Sequence, residues 1–381
     1  MPNKAVIAMS GGVDSSVAAH LMQEGGYECI GITLKLFSSG DIEGEDDSSA
    51  ALNANSAHKG CCSGTTAHIR KGCCSLEDVN DAREVAYRLG MPHYVLNFAD
   101  DFKKEVIGRF IDAYERGATP NPCIDCNRHI KFDRLLKRAK QLEFDFIVTG
   151  HYARVEKSGT RYVLKKAIDH SKDQSYVLFA TTQAQLSCTR FPLGSLTKGE
   201  VRKIAEAQGF INAQKHDSQD ICFVPDRDYA AFIERYTGRP AREGAVLSLD
   251  GKVLGRHKGI IRYTIGQRRG LGIALNEPVY VASKSVADNT VTLGPEASLY
   301  TQSLTANNIN LIAYERLEKP VRVRVKTRYL QAEQGGIAEQ LDNDSIRVVF
   351  DKPQRAVTPG QAAVLYDGDV VVGGGTITGT E

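Results

Sequence analysis

Lys4-Ala5-Val6-Ile7-Ala8-Met9-Ser10-Gly11-Gly12-Val13-Asp14-Ser15-Ser16 is the stretch whose reading decides the fold. Lys4 to Ala8 is a short apolar run that reads as a strand, and Ser16 to Glu24 carries a helical pattern. The two glycines between them let the backbone turn tightly enough to aim several N–H groups at one anion, and the helix start adds its positive end. The loop is therefore a phosphate cradle. It lacks the lysine of a Walker loop, which argues against an ordinary kinase or GTPase site.

Working outward, strand and helix patterns alternate. Tyr27 to Leu36 reads as a second strand, and Ser75 with Asp78 forms a capping box for a helix that Gly90 stops. His93 to Phe98 reads as a third strand, Asp100 to Arg116 and Lys131 to Gln141 as helices, and Asp145 to Thr149 as a strand ending at Gly150-His151. This alternation predicts an α/β fold with a doubly wound parallel sheet, ligands lying at the carboxyl ends of its strands. The loop at Ser10 and the Gly150-His151 turn both fall at such ends. Thr197 with Glu200 caps a further helix to Gln208.

Beyond residue 215 glycine-punctuated short strands replace the helices. They include Ala245 to Leu249, Lys252 to Leu254, Val279 to Ala282, Thr290 to Leu293, Val321 to Thr327, Ser345 to Phe350, Ala363 to Tyr366 and Val370 to Val372. That spacing predicts small β-rich domains. The expected division is a catalytic domain over 1–213, a β-rich central domain over 214–277 and a terminal β-barrel over 278–381. The segment 38–72 interrupts the first domain. There Lys59-Gly60-Cys61-Cys62-Ser63 recurs as Lys71-Gly72-Cys73-Cys74-Ser75, a tandem duplication in a tolerant loop. A four-thiol metal site is the other reading, but adjacent cysteines lack the gap of a zinc knuckle.

The 381 residues carry a formal net charge of only +2, so contact with nucleic acid must come from local patches. No apolar run reaches membrane-span length, and Met1 to Lys4 runs directly into the first strand without a secretory signal. The expectation is a cytoplasmic protein with no membrane partner, whose nine cysteines act as thiols or ligands rather than structural disulfides.

Three thiols stand in polar or stiffened settings. Thr119-Pro120-Asn121-Pro122-Cys123-Ile124-Asp125-Cys126 places Cys126 near the start of a helix, where the dipole lowers a thiol pKa. Its Cys-x-x-Cys spacing fits redox or nucleophilic chemistry as well as metal ligation. Cys222 lies in the polar stretch Lys215 to Phe223, just past the first domain. Cys29 and Cys188 fall in apolar patterns and read as inert.

These motifs, with Gly150-His151-Tyr152, Lys172-Asp173-Gln174-Ser175-Tyr176, Asp220-Ile221-Cys222-Phe223, Tyr263-Thr264-Ile265-Gly266-Gln267-Arg268-Arg269-Gly270-Leu271-Gly272 and Thr358-Pro359-Gly360-Gln361, occur in that order. The chain thereby resembles the tRNA-specific 2-thiouridylases of the ATP pyrophosphatase group, over nearly its whole length outside 38–72. The resemblance implies an adenine nucleotide α-hydrolase-like catalytic domain. It also implies sulfur transfer to C2 of the wobble uridine, with ATP adenylating the C2 oxygen and a persulfide on Cys222 supplying sulfur. Cys126 would be the nucleophile, and a Cys126–Cys222 disulfide would remain.

By the same matching, Ala8, Met9, Ser10, Gly11, Gly12, Val13, Asp14, Ser15, Leu34 and Gly150 would line the ATP site, with Mg2+ entering near Asp14. Asn121, Pro122 and Cys123 would lie by the target base. His151, Lys172, Asp173, Gln174, Arg328, Tyr329 and Gln361 would contact tRNA. The implied partners are a tRNA anticodon stem-loop and an upstream persulfide donor protein, and a monomer is expected.

Cys123 departs from the family's commonest pattern, which has an aspartate there that is the suspected proton carrier. With Cys126 and Cys222 it makes three thiols, the minimum for an iron–sulfur cluster with one open iron. A direct persulfide relay is the preferred expectation.

Arg322, Arg324, Lys326 and Arg328 alternate with Val321, Val323, Val325 and Thr327, which places all four cations on one face of about 20 Å at ~3.3 Å per residue. Such a row follows several phosphates, and Tyr329 at its end offers a stacking ring. A solvated barrel face is the bland alternative. Two other function classes use part of the pattern. An adenylating amidotransferase or synthetase needs the loop but leaves the cysteines idle, and a redox or metal-binding RNA module leaves the loop idle.

Overall fold

The structure is a computed structural model, which describes residues 2–37, 75–216, 221–273 and 277–381. The duplicated cysteine segment therefore lies outside the described residues. In the catalytic domain, β1 (Lys4–Ala8), α1 (Val13–Glu24), β2 (Glu28–Lys35), α2 (Leu76–Arg88) and β3 (His93–Asn97) follow in order. The capping boxes at Ser75/Asp78 and Thr197/Glu200 form as their sequences predict.

Two long rods follow. Ala99–Phe102, Lys103–Gly108 and Arg109–Glu115 run end to end as α3, its middle segment π-helical. Pro122–Asp125, Cys126–Leu135 and Leu136–Gln141 run end to end as α4, again with a π-helical middle. Helix α4 thus starts nine residues before the predicted Lys131. Asn121 is its N-cap, accepting the Cys123 N–H, and Pro122 is its first residue, a position where a missing N–H is harmless.

After β4 (Phe146–Val148), β5 (Ala153–Ser158), β6 (Arg161–Lys166) and α5 (Ser175–Leu178) comes α6 (Gln183–Ser187), then β7 (Thr189–Arg190) and α7 (Lys198–Ala207). The sheet is parallel throughout, ordered β3-β2-β1-β4-β7. Its order reverses between β1 and β4, and the crevice beyond those two carboxyl ends is where such sheets bind ligands. The phosphate loop follows β1 and Gly150 follows β4, so both open on that crevice.

The central domain contains α8 (Tyr229–Thr237), a helix the strand-only reading misses, with β8 (Gly244–Ser248) and β9 (Val253–His257). Strands β10 (Tyr280–Ser285) and β11 (Thr290–Gly294) complete one four-stranded sheet, ordered β10-β11-β8-β9. The expected boundary at 277/278 therefore sits within the span of this sheet.

The terminal strands are β12 (Tyr300–Leu311), β13 (Val321–Lys326), β14 (Gln334–Gln340), β15 (Ser345–Arg355), β16 (Ala362–Asp367) and β17 (Val370–Thr380). They pair in the order β12-β15-β14-β13-β16-β17 and close through β12–β17 into a barrel. The hairpin β5–β6, missed because its residues are largely charged, attaches to β17 and extends this sheet. The largest core cluster is shared: Phe110, Ile130 and Tyr176 of the catalytic domain join Phe232 of α8 and Ile312, Val364, Tyr366 and Val371 of the barrel.

Candidate active site

The phosphate loop is shaped by contacts beneath it. Gly11 has φ +74, and a Cβ there would lie 2.2 Å from the Asp78 carbonyl oxygen, so only glycine fits. Its own carbonyl accepts from Asn212 Nδ2 at 3.0 Å and Lys215 Nζ at 3.2 Å. Lys215 also donates to Asp78 at 2.7 Å and Asp81 at 2.5 Å. Burial works against its charge, yet those two carboxylates raise its pKa. Asn212 donates as well to Ser16 Oγ at 2.9 Å. Ser15 Oγ accepts the Ser10 N–H and donates to the Gly12 carbonyl, pinning the turn from inside. Thr33 Oγ1 donates to the Met9 carbonyl and pairs with His93 Nε2 at 2.9 Å.

Gly150 abuts the loop closely: a Cβ there would lie 2.7 Å from Ser15 N. Ala8, Val13 and Leu34 are core residues or pack against the core, so they contribute backbone and apolar walls. Asp14 accepts from Tyr152 Oη at 2.8 Å and from Lys198 Nζ at 2.7 Å. The loop's missing lysine is thus matched by one from the first turn of α7, 184 residues away in sequence. No local signal marks Lys198. What places it is the capping box at Thr197, which aims the start of α7 at the crevice.

A run of hydrogen bonds leads from the loop toward Tyr329. The Tyr152 N–H donates to Gln174 Oε1, and the Gln174 N–H donates to the Tyr152 carbonyl. Asp173 is buried, its carboxylate receiving the Ala167 and Ser175 N–H groups and the Ser175 hydroxyl, so it holds the turn rather than facing outward. Its carbonyl accepts from Tyr329 Oη at 3.2 Å. Burial, then the charges of Asp173 and Cys123, push the Tyr329 phenol up. Lys172 is partly exposed at the same turn.

Cys123 is exposed at the second position of α4, and Cys126 sits a turn further in. Cys123 thus stands closer to the N-terminus of α4 than Cys126 does. Cys126 and Cys222 are both half-buried against the shared core. Among the described residues no three His, Cys, Asp or Glu side chains converge to hold a metal. Asp125, on the same turn, points toward His129 at 3.9 Å. Burial, opposed by Arg109 and Arg128, raises its pKa to about 6.

The barrel closes over the Asn121 loop. Gln361 Nε2 donates to the Thr119 carbonyl at 2.7 Å, and the Thr119 N–H donates to the Pro359 carbonyl. Gly360 has φ +90, and a Cβ there would lie 2.8 Å from Thr119 N.

Several expected surface residues are placed differently. His151 is 9 % exposed, with Thr149 Oγ1 at 2.6 Å, Lys131 Nζ at 3.4 Å and a pKa held well below the usual range by burial and then Lys131. The strand bearing the basic row ends at Lys326, so Arg328 lies beyond it, donating to the Ala356 carbonyl and Thr358 Oγ1. Arg322 pairs with Asp351, and Arg324 donates to the Glu333 carbonyl. The row of four is therefore partly spent within the barrel.

A 3-2-1-4 parallel sheet with a lysine-free phosphate loop at its switch point, carrying two β-rich appendages, defines a HUP-type nucleotide-binding domain elaborated by barrels. Residues 3–226 match the family described as tRNA methyl transferase HUP domain, 230–295 its PRC-barrel domain and 301–377 the aminomethyltransferase beta-barrel domain. The tRNA-specific 2-thiouridylase MnmA of Acetivibrio thermocellus is 47% identical over 98% of this chain and 99% of its own length. The protein of the same name from Clostridioides difficile is 45% identical over 99% and 98%. The chain belongs to the tRNA-specific 2-thiouridylase family.

Proposed function

We propose that the chain is an ATP-dependent tRNA uridine 2-sulfurtransferase acting on the wobble uridine. The observation that supports this reading is the run of hydrogen bonds from Asp14 through Tyr152 and Gln174 to the turn at Asp173, whose carbonyl accepts from Tyr329, a ring that packs on the same core as Cys126 and Cys222.

ATP lies with its triphosphate in the cradle of Ala8 to Ser15. The uridine C2 oxygen attacks the α-phosphorus, its O–P bond forms, and pyrophosphate leaves. Lys198 meets the departing charge, and Asp14 would hold Mg2+, whose chemistry is to neutralise triphosphate oxygens. The outer sulfur of a persulfide on Cys222 then attacks C2, and AMP departs with the former carbonyl oxygen. The Cys126 thiolate attacks Cys222 Sγ, which breaks the remaining S–S bond. A Cys126–Cys222 disulfide forms and sulfur stays on C2, so two thiols are oxidised as one sulfur is reduced.

Asn121, Pro122 and Cys123 flank the target base, and Lys172, Arg328, Tyr329 and Gln361 border the anticodon stem-loop, with a persulfide donor protein upstream. The test supplies ATP, Mg2+, a persulfide donor and a tRNA transcript with a wobble uridine, and measures AMP, pyrophosphate and 2-thiouridine. The expected result is all three products. Cys222→Ser keeps the adenylation and loses the thiouridine. No release of AMP with pyrophosphate overturns the reading.

A further inference from the structure

Lys131 has no part in the chemistry above, yet it stands beside the residues that flank the nucleotide loop. It lies on α4 five residues past Cys126, within the π-helical stretch Cys126–Leu135. Such winding is rare, and it is frequent at functional sites. Its Nζ is 3.4 Å from His151 Nε2. His151 follows Gly150, the residue whose Cβ would lie 2.7 Å from Ser15 N. The ammonium therefore ends just past the carboxyl end of β4, where the crevice opens.

His151 holds that ammonium in place. Its ring is buried, with the Phe132 and Phe191 centroids at 6.1 Å and 6.0 Å. Burial and then Lys131 keep its pKa well below the usual range, so the ring is neutral. A neutral ring that accepts from Lys131 at Nε2 carries its hydrogen on Nδ1, which donates to Thr149 Oγ1 at 2.6 Å. Thr149 thus fixes the tautomer, and His151 fixes the direction of the lysine. The ammonium has three donors, and the His151 contact is long for a hydrogen bond. Among the described residues no carboxylate pairs with Lys131, whereas Lys198 and Lys215, the lysines at the loop, each hold one at 2.7 Å. A half-buried cation beside a neutral ring is matched to an anion that arrives with the substrate.

We infer that Lys131 is a catalytic residue whose ammonium meets the α-phosphoryl group of the bound nucleotide, with His151 as the positioning residue behind it. The inference rests on the proposed sulfurtransferase reading and adds a group to its first step. Of the three phosphates, the α-phosphate is the one that must lie between the cradle and the cysteine-bearing helix, and Lys131 comes from that helix. As the uridine C2 oxygen bonds to the α-phosphorus and the bond to the pyrophosphate oxygen breaks, Lys131 donates to the non-bridging oxygens. It forms no covalent bond itself. The cradle and Lys198 thus take the pyrophosphate that leaves, and Lys131 takes the phosphoryl group that stays.

The test follows a single turnover of an unmodified tRNA transcript with ATP and Mg2+, without a persulfide donor, and reads pyrophosphate release. Lys131→Gln is expected to slow that step about a hundredfold or more, the cost of losing one such donor. The loss falls on the rate, while the affinities for ATP and tRNA stay nearly unchanged. Lys131→Arg recovers part of the rate. His151→Gln, whose amide oxygen still accepts, keeps more of it than His151→Leu, the reverse of what packing between two phenylalanines favours. If the unaltered chain releases pyrophosphate and Lys131→Gln matches its rate, the assignment is overturned and the proposed function stands. If Lys131→Gln keeps that rate but slows 2-thiouridine formation once a donor is added, the lysine serves the sulfur step and the assignment is again overturned. A Lys131→Gln chain that no longer binds ATP overturns it too, because the assigned role lies in the step and not in the hold. If the unaltered chain releases no pyrophosphate, both readings fall.

Discussion

The two appendages meet the catalytic domain in different ways. The barrel is fused to it: Tyr366, Val364, Val371 and Ile312 lie in the same apolar cluster as Phe110 and Tyr176. Polar bonds stitch the seam as well, with Arg161 donating to the Leu311 and Ile312 carbonyls and Asn310 to those of Phe179 and Thr181. The central sheet instead has a small core of its own, formed by Val246, Tyr263, Leu271, Val281, Val291 and Leu293 around Ile260. Helix α8, through Phe232 and Ile233, and the flanking Ile261 tie it to the catalytic core. The barrel shares the core of the catalytic domain, whereas the central sheet has a core cluster of its own.

The strongest way to break this contrast is at the seam. Tyr176 is fully buried, and its hydroxyl donates to the Ala362 carbonyl at 3.0 Å. Tyr176→Ala is expected to cost about 3–5 kcal/mol and to lower the stability of catalytic domain and barrel together in one denaturation transition. Leu293→Ala in the core of the central sheet is expected to cost about 2–3 kcal/mol. There a separate, earlier transition is expected by calorimetry, with ATP binding intact; a single shared transition would erase the distinction.

On the catalytic side, Asp125 sharpens it through pH. Its folded pKa is raised to about 6 from 3.8, so the native state holds its proton more tightly than the unfolded chain. The sign follows: this group takes stability away as pH climbs through that interval, and the loss is complete above about 6. Asp125→Asn is therefore expected to be neutral at pH 4 and stabilising by about 1–2 kcal/mol at pH 7.5, measured by urea denaturation at both. The smallest effect belongs to Gln361→Ala, which removes one bond to the Thr119 carbonyl and is expected to cost about 1 kcal/mol. Its readout is a weakened grip on the Asn121 loop, seen as faster hydrogen exchange at Thr119.

What could be read in advance follows the same divide. The β1–loop–α1 unit and both capping boxes are local devices, so their residues announce them. The start of α4 was also local, an Asn N-cap followed by Pro, but two prolines and two cysteines mask it as loop. Elements whose stability is tertiary stay hidden. Strand β14 contains Gly335-Gly336, β12 contains Asn307-Asn308, and β5–β6 is charged, yet each pairs because its neighbours demand it. Within the site, Ser10 to Asp14 and Gly150 were legible as turns. Lys198, Lys215 and Asn212 were not, since each acts on the loop from 184 to 204 residues away. Arg328 and His151 show the converse: alternation or a motif marks the residue, but burial decides which way it faces.

The hairpin β5–β6 has one more implication. Its outer neighbour is β17, which begins only at Val370, so a ribosome delivers the hairpin's partner long after the hairpin itself. Until then the Lys165 edge stands unpaired, and the Lys166 amide has yet to meet Asp369. An early stop codon inside the last strand would thus damage more than the barrel. It would leave an open β edge in the midst of the catalytic half, the kind of surface on which nascent proteins stick to one another.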